Sequence, residues 1–256
     1  MCSRDHLERT LREWEGCRIV RRLAEGHRNT VFLVERDGER LVAKSSRRSR
    51  EAIAWLEPVQ ELAREVGFVV PRFVPSNEGE LLVGGVTVET WIEGTPFVRA
   101  ELRRLRSRLH AFHRLTRRWA QRPGFASSVE LLAVERGGDV DLSLMPPGLL
   151  EAVRAAWQEF SAEEPSVVHG DPGLSNLLVM PDSRLALLDW DEARVDVSLL
   201  DDAALPFEGS RATGPRRTRA IRALLAWEVA ASWRVEPDHA RRLAGDFMSG
   251  RAVWRN

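Results

Sequence analysis

Four residues of the stretch VVHGDPGLSNLLVMPDSRLALLDWDEARVD, residues 167–196, have the types and spacing for chemistry: His169, Asp171, Asn176 and Asp189. His169 and Asp171 flank Gly170 after a short apolar run. Asn176 lies five residues past Asp171, and Asp189 lies thirteen past Asn176, after a second apolar run. Transfer of a phosphoryl group asks for such parts: one carboxylate facing the acceptor hydroxyl, and a carboxylate plus an amide oxygen holding magnesium against the nucleotide phosphates. Mg²⁺ takes oxygen ligands and is served by one or two carboxylates, with water and phosphate completing the shell. Asn176 and Asp189 match that demand. A carboxylate is a weak base at neutral pH, so the task read for Asp171 is to orient the hydroxyl and collect its proton late. HGD alone describes a loop turn and DWD alone a strand end; their order and spacing between two apolar runs carry the chemistry.

These residues need elements to hold them. CRIVRRLAEGHRNTVFLVERDGERLVAKSS reads as strands, with Asp37-Gly38 a two-residue hairpin loop between TVFLVE and RLVAKS. Lys44 then falls near the end of a strand. Ser49 is the N-cap of a helix expected over about 50–66, with Ala52, Trp55, Leu56, Val59, Leu62, Ala63 and Val66 at helical spacing and a kink at Pro58. Glu51 shares that inward stripe, whereas Glu57 and Glu61 fall on the polar side with Gln60 and Arg64. Strands follow, with turns at Ser76–Gly79 and Gly84-Gly85. From about 97 the texture turns helical: Leu102, Leu105, Leu109, Phe112, His113 and Leu115 share a face, and further helices are expected around 147–160, 215–232 and 237–248. The stretch 137–148 reads as a long loop. The organisation is α+β, with a β-rich lobe over 1–90, a connector over 91–96 and a mostly helical lobe over 97–256.

The polar block resembles the aminoglycoside phosphotransferase and choline kinase superfamily, whose loop reads H-G-D-x-x-x-x-N followed by an apolar strand and D-[WF]-[DE]. This chain has HGDPGLSN and LALLDWDE. It also parallels the protein-kinase pair H-R-D-x-x-x-x-N and D-F-G, but Gly170 replaces the arginine and no A-P-E follows, so a small-molecule kinase is the better reading. The resemblance implies a bilobal protein-kinase-like fold, ATP and Mg²⁺ as cofactors, Asp171 as catalytic base, Asn176 and Asp189 as metal ligands, and His169 as a brace for the loop. It further implies a strand lysine on the α and β phosphates, held by a helix carboxylate. Lys44 is the only lysine in a chain with 38 Lys plus Arg. A compact ammonium fits between a carboxylate and two phosphates where a planar guanidinium fork does not. Glu51 is its partner on facing grounds, and Glu57 on counting back from Val70-Pro71; the choice stays open. By the same resemblance the connector VETWIEGTP binds adenine through the Thr90 carbonyl and the Ile92 amide. AEGHRNTVFLV stands where the nucleotide loop belongs, with N–H groups from Gly26 to Asn29 as a phosphate cover, although it has neither a Walker A motif nor G-x-G-x-x-G.

Composition narrows the partners. Thirty per cent of residues are charged and they sum to zero net charge, so no bulk field draws the chain to nucleic acid or to an anionic membrane. Its nine tryptophans do not interleave with a basic stripe. No apolar run approaches the length of a membrane span, the N-terminal stretch lacks an apolar signal core, and Cys2 and Cys17 have no CxxC spacing. A cytoplasmic protein is expected. His110 and His113 alternate with core Leu and Phe and have no third ligand, which favours packing over a metal pair. For the acceptor, Asp191, Glu192, Asp196, Asp201, Asp202 and Glu208 surround a single Arg194 and suit a cationic molecule; the competing reading makes Asp191 and Asp201 structural caps. Glu228, Trp233 and Glu236 come from C-terminal helices, where similar enzymes build the acceptor pocket. The expected activity is an ATP/Mg-dependent transfer of the γ-phosphate to a hydroxyl of a small molecule, an aminoglycoside or other amino-alcohol. The alternatives are a metabolic kinase for choline-like or amino-acid substrates, a kinase-like binding module without turnover, and a metal-dependent hydrolase using His169, Asp171 and Asp189, against which the lack of a second histidine cluster speaks.

Overall fold

The computed structural model describes residues 4–23, 29–206, 210 and 213–250. The chain divides into two compact units, Met1–Gln60 with Val70–Glu93, and Glu61–Val69 with Gly94–Asn256.

The first unit begins with helix α1 (Arg4–Thr10) and strands β1 (Arg18–Arg22), β2 (Val31–Arg36) and β3 (Glu39–Ser45). Helices α2 (Arg50–Ala54) and α3 (Leu56–Glu65) and the short strand β4 (Phe68–Val69) precede β5 (Val86–Thr90). Strands β1, β2, β3 and β5 form an antiparallel sheet in that order. Asp37 and Gly38 both have positive φ, 53° and 83°, the backbone that a two-residue hairpin loop needs to follow strand twist. That turn sets a register in which Lys44 lies opposite Val31 on one side and Thr87 on the other. Period two then separates Leu41 and Ala43, buried in the core, from Val42 and Lys44 on the other, part-exposed face. The core beneath the sheet joins Phe32, Val34, Leu41, Ala43, Val86 and Val88 to Leu7, Leu11 and Trp14. Helix α1 was not expected; its signal is the i, i+4, i+7 spacing of those last three in a charged stretch. The Trp14 indole donates to the Val74 carbonyl at 2.7 Å.

Over 50–66 the outcome differs from a single helix kinked at Pro58. The break comes at Trp55 instead, between α2 and α3. Pro58 falls in the first turn of α3, where a missing N–H costs no hydrogen bond. Ser49 caps α2, its hydroxyl accepting from the Ala52 N–H at 3.2 Å. The buried face is Ala52, Ile53, Leu56, Val59, Gln60 and Ala63, while Glu51 is exposed. The inward position expected for Glu51 is therefore corrected, because the break at Trp55 resets the helical phase and the cap draws Glu51 to the helix end.

The second unit contains β6 (Thr95–Pro96), α4 (Leu102–Leu115), β7 (Arg136–Gly137), β8 (Val140–Asp141) and α5 (Pro147–Gln158). There follow β9 (Pro165–Val168), β10 (Leu177–Val179), β11 (Leu185–Leu187), β12 (Arg194–Val197), α6 (Leu199–Ala204), α7 (Gly214–Ser232) and α8 (Pro237–Met248). A small sheet runs β4-β11-β10-β6, with β4 parallel to β11. This pairing places 61–69 in the helical unit, although a boundary at 90 assigns them to the first lobe. Strands β9 and β12 form a separate antiparallel pair. The expected loop over 137–148 contains the β7–β8 hairpin. The main core is shared by α5, α6, α7 and α8 around Trp157, Leu224, Trp227 and Phe247. On α4 the buried face holds Leu102, Leu105, Leu109, Phe112 and His113 as expected, but Leu115 is 51% exposed and Arg106 is buried in its stead. Arg106 is tolerated there because Asp202 and the carbonyl of Pro206 accept its guanidinium. Among the described residues no helix is long and apolar enough to cross a membrane.

Candidate active site

The loop after β9 is shaped by a glycine and an aspartate. Gly170 has φ +90°, and a Cβ there would lie 2.6 Å from the Glu192 carbonyl oxygen. Only glycine meets both conditions, which gives a local reason for Gly170 where protein kinases carry arginine. The N–H groups of His169 and Gly170 donate to the two carboxylate oxygens of Asp201, at 2.8 and 3.0 Å. His113 approaches the same carboxylate through Nε2 at 3.0 Å. Asp201 is 1% exposed. Burial, the largest influence, raises its pKa, but the hydrogen bonds from the His113 side chain and the His169 N–H outweigh it and hold the carboxyl below its ordinary value.

His169 is fully buried. Its Nε2 lies 2.9 Å from the Leu188 carbonyl, which can only accept, and its Nδ1 lies 3.3 Å from the Asp171 N–H, which can only donate. This pair fixes a neutral imidazole with hydrogen on Nε2. Burial is the largest influence on its pKa and holds it below the ordinary histidine value, against the charges of Asp201, Asp171 and Asp189. Trp190 packs edge-on against the ring at 4.8 Å between centroids, and Phe112 packs edge-on against Trp190.

Asp171 and Asn176 meet directly. The Asn176 amide nitrogen donates to Asp171 Oδ2 at 2.8 Å and to the Asp171 carbonyl at 3.0 Å. The amide oxygen, the only atom of that side chain suited to a cation, is the other branch of the group. Leu188 N–H donates to the Asn176 carbonyl at 2.8 Å. Asp189 follows immediately, exposed and in the left-handed region at φ 58°. Of the seven residues singled out for the site, Asp171, Asn176 and Asp189 thus lie on two adjoining loops, joined by His169 and the Leu188 backbone. An amide oxygen and a carboxylate are hard donors that fit Mg²⁺. Among the described residues no group of three or more His, Cys, Asp or Glu is placed to hold a metal.

The other four lie in the first unit. Lys44 is on β3, Thr90 ends β5, and Ile92 follows in the connector. Thr90 is bonded to Arg72 twice, its hydroxyl accepting from the Arg72 N–H and its own N–H donating to the Arg72 carbonyl. Glu51 is exposed; hydrogen bonds from its own backbone and from the Ser49 hydroxyl hold its carboxyl below the ordinary value. Of the phosphate cover, Gly26, His27 and Arg28 lie outside the described residues, as do Glu208 and Cys2.

The acidic segment beyond Asp189 is corrected in part. Asp196, Asp201 and Asp202 are buried and engaged within the fold. Asp196 accepts from Ser128 and Arg194, and Asp202 from Arg106 and Ser210. Asp191 and Glu192 are part-exposed. Arg194 stacks on Trp227, its guanidinium carbon 3.2 Å from the ring centroid. Arg122, which sequence reading missed, is buried and donates to the carbonyls of Asp191 and Ala193 at 2.8 and 3.0 Å. In a chain this rich in arginine nothing marks it out beforehand. Trp233 donates to the Leu144 carbonyl at 2.8 Å, and Glu228 and Glu236 are part-exposed.

Residues 19–233 match the phosphotransferase enzyme family. The chain belongs to that family. No curated protein sequence matches it. Among solved structures, choline kinase LicA from Streptococcus pneumoniae is similar at 13% identity and a TM-score of 0.68, over 97% of this chain and 98% of that one. A microcompartment-associated aminopropanol kinase gives 14% and 0.65, over 98% and 95%. An aminoglycoside phosphotransferase from Alicyclobacillus acidocaldarius gives 19% and 0.55, over 96% and 93%. At such identities the likeness is one of fold, the α+β protein-kinase-like fold with one β-rich and one mostly helical lobe. Family membership makes the chain a phosphotransferase.

Proposed function

We propose that this phosphotransferase moves the γ-phosphate of ATP, with Mg²⁺, to a hydroxyl of a small cationic molecule, an aminoglycoside or other amino-alcohol. The observation that carries the reading is the hydrogen bond from the Asn176 amide to Asp171 Oδ2 at 2.8 Å. It fixes the carboxylate and leaves Oδ1, 3.4 Å from the Gly173 N–H, for an acceptor hydroxyl. Asp171 then orients that hydroxyl and takes its proton as the phosphoryl group transfers. His169 keeps the Asp171 backbone in register with the loop of Asp189. Asn176 and Asp189 would hold Mg²⁺, which when bound neutralises charge on the phosphates. Lys44 is the residue for the α and β phosphates, with Glu51 or Glu57 as its carboxylate partner. The Thr90 carbonyl and the Ile92 amide are the groups for adenine.

Nucleotide use is supported by two relatives of this fold: LicA in complex with AMP, and an aminoglycoside phosphotransferase in a ternary complex with ADP and hygromycin B. The charge argument for a cationic acceptor now rests on the part-exposed Asp191, Glu192, Glu228 and Glu236, because Asp196, Asp201 and Asp202 are committed to structure. The test is ADP formation from Mg-ATP across aminoglycosides, choline-like amines and amino acids. Asp171→Asn is expected to lower the rate by about 10²–10⁴-fold while stabilisation by Mg-ATP persists. Transfer undiminished in that variant removes the mechanism. Mg-ATP stabilisation without turnover on any acceptor favours a binding module instead.

A further inference from the structure

A cavity lies in the helical unit, outside the loops just described, with a volume of about 240 Å³, roughly eight times the share of one water in the liquid. It is lined by His113 and Arg114 in the last turn of α4, Arg117 just beyond, Ser166 on β9, Ser198 before α6, and Arg216 in the first turn of α7. Two of these carry buried atoms without a hydrogen-bond partner among the described residues, His113 Nδ1 and Ser166 Oγ. The residues are only 5% and 2% exposed. Buried polar atoms are almost always paired, so each exception asks what its partner is.

The rim indicates the sign of that partner. Three arginines face Glu163 and Glu164. Glu163 is paired with Arg216, and Glu164 with Arg117 at 3.4 Å, so these two carboxylates are engaged and the charge of Arg114 remains in surplus. Guanidinium forks match the oxygens of tetrahedral anions, and serine hydroxyls turn to donate. A metal cation is repelled by such a rim, and a neutral ligand leaves the surplus charge unanswered.

We propose that this cavity binds a small tetrahedral oxyanion of the phosphate class. The assignment goes beyond the transfer reaction and does not depend on it. His113 gives the site its connection to the rest of the unit. Its Nε2 faces the Asp201 carboxylate at 3.0 Å and therefore carries hydrogen, leaving Nδ1 as the open valence. A phosphate that keeps one hydroxyl can donate it to that open Nδ1 while its other oxygens accept from Arg114 and the Ser166 hydroxyl. Asp201 in turn holds the N–H groups of His169 and Gly170.

The experiment is thermal unfolding of the full chain in sodium phosphate against sodium chloride of equal ionic strength, without nucleotide, with glycerol phosphate as a parallel arm to separate free from esterified phosphate. A saturable rise in Tm with phosphate alone is expected, accompanied by a shift of the His113 Nδ1 signal in nitrogen NMR. Arg114→Ala removes an exposed side chain and Ser166→Ala a hydroxyl with no hydrogen-bond partner among the described residues, so both variants should fold and both should lose the phosphate-specific rise. A rise matched by chloride, a rise retained in both variants, or an unmoved His113 signal each overturns the proposal; the second puts the ion at another site.

Discussion

His169 joins the two loops of the candidate site with one ring. Its Nε2–H reaches the carbonyl just before Asp189, and its Nδ1 receives the Asp171 N–H. A protonated ring would present a second N–H to a group that is itself a donor, so the native state refuses the proton for geometric reasons as well as through burial. The linkage has a definite sign. Unfolded histidine titrates near 6.5, and the native pKa lies lower. The stabilising contribution is complete above about 6.5 and declines as pH falls from there toward the native pKa, because the unfolded chain gains a proton that the native chain does not. His169→Gln, which does not titrate, should flatten the loss of stability between pH 7.5 and 5.5, read by urea unfolding at each pH. An unchanged slope would assign that loss to other histidines.

At the scale of elements, the loop after β9 depends on close approach. Gly170 combines φ +90° with a prospective Cβ contact of 2.6 Å to a backbone oxygen. Backbone cannot yield as a flexible side chain does. Gly170→Ala should therefore cost about 3 kcal/mol, the upper end for a strained backbone position, seen as a lowered urea midpoint together with impaired turnover. By contrast Gly38→Ala sits in the exposed β2–β3 turn with nothing within 4 Å of its Cβ, so only its positive φ opposes the change and the loss should be about 1 kcal/mol. Equal losses at the two positions would show that the Glu192 contact adds nothing. The β2–β3 hairpin was legible because Asp-Gly dictates its own turn. The α2–α3 break at Trp55 was not, because a periodic apolar pattern with Pro58 inside it fits a kinked helix equally well until the proline is seen to occupy a first turn.

For the whole molecule, acid stability should be governed largely by Asp201. It accepts from two loop N–H groups and faces His113. Its carboxyl is held below the ordinary value, so its contribution is full above about pH 4, where unfolded aspartate titrates, and is lost as pH falls through the lower native pKa. Asp201→Ala leaves buried donors without an acceptor and should cost about 3–5 kcal/mol, measurable by denaturant unfolding at pH 7. A loss below about 1 kcal/mol would mean that water replaces the carboxylate and that Asp201 does not hold the loop.

The sequence alone determined the chemistry on offer, since HGD, Asn176 and Asp189 are fixed by type, order and spacing along one short segment, and it determined the β-rich to helical progression through local periodicity. Tertiary structure decided which charges are surface and which are structural. Arg106 finds Asp202 ninety-six residues away, and His113 finds Asp201 eighty-eight away. The acidic segment after Asp189 looked like one patch because neighbours in sequence carry the same charge. It divides in the fold because burial of a charge depends on the partner that meets it in space, and no local pattern encodes that partner.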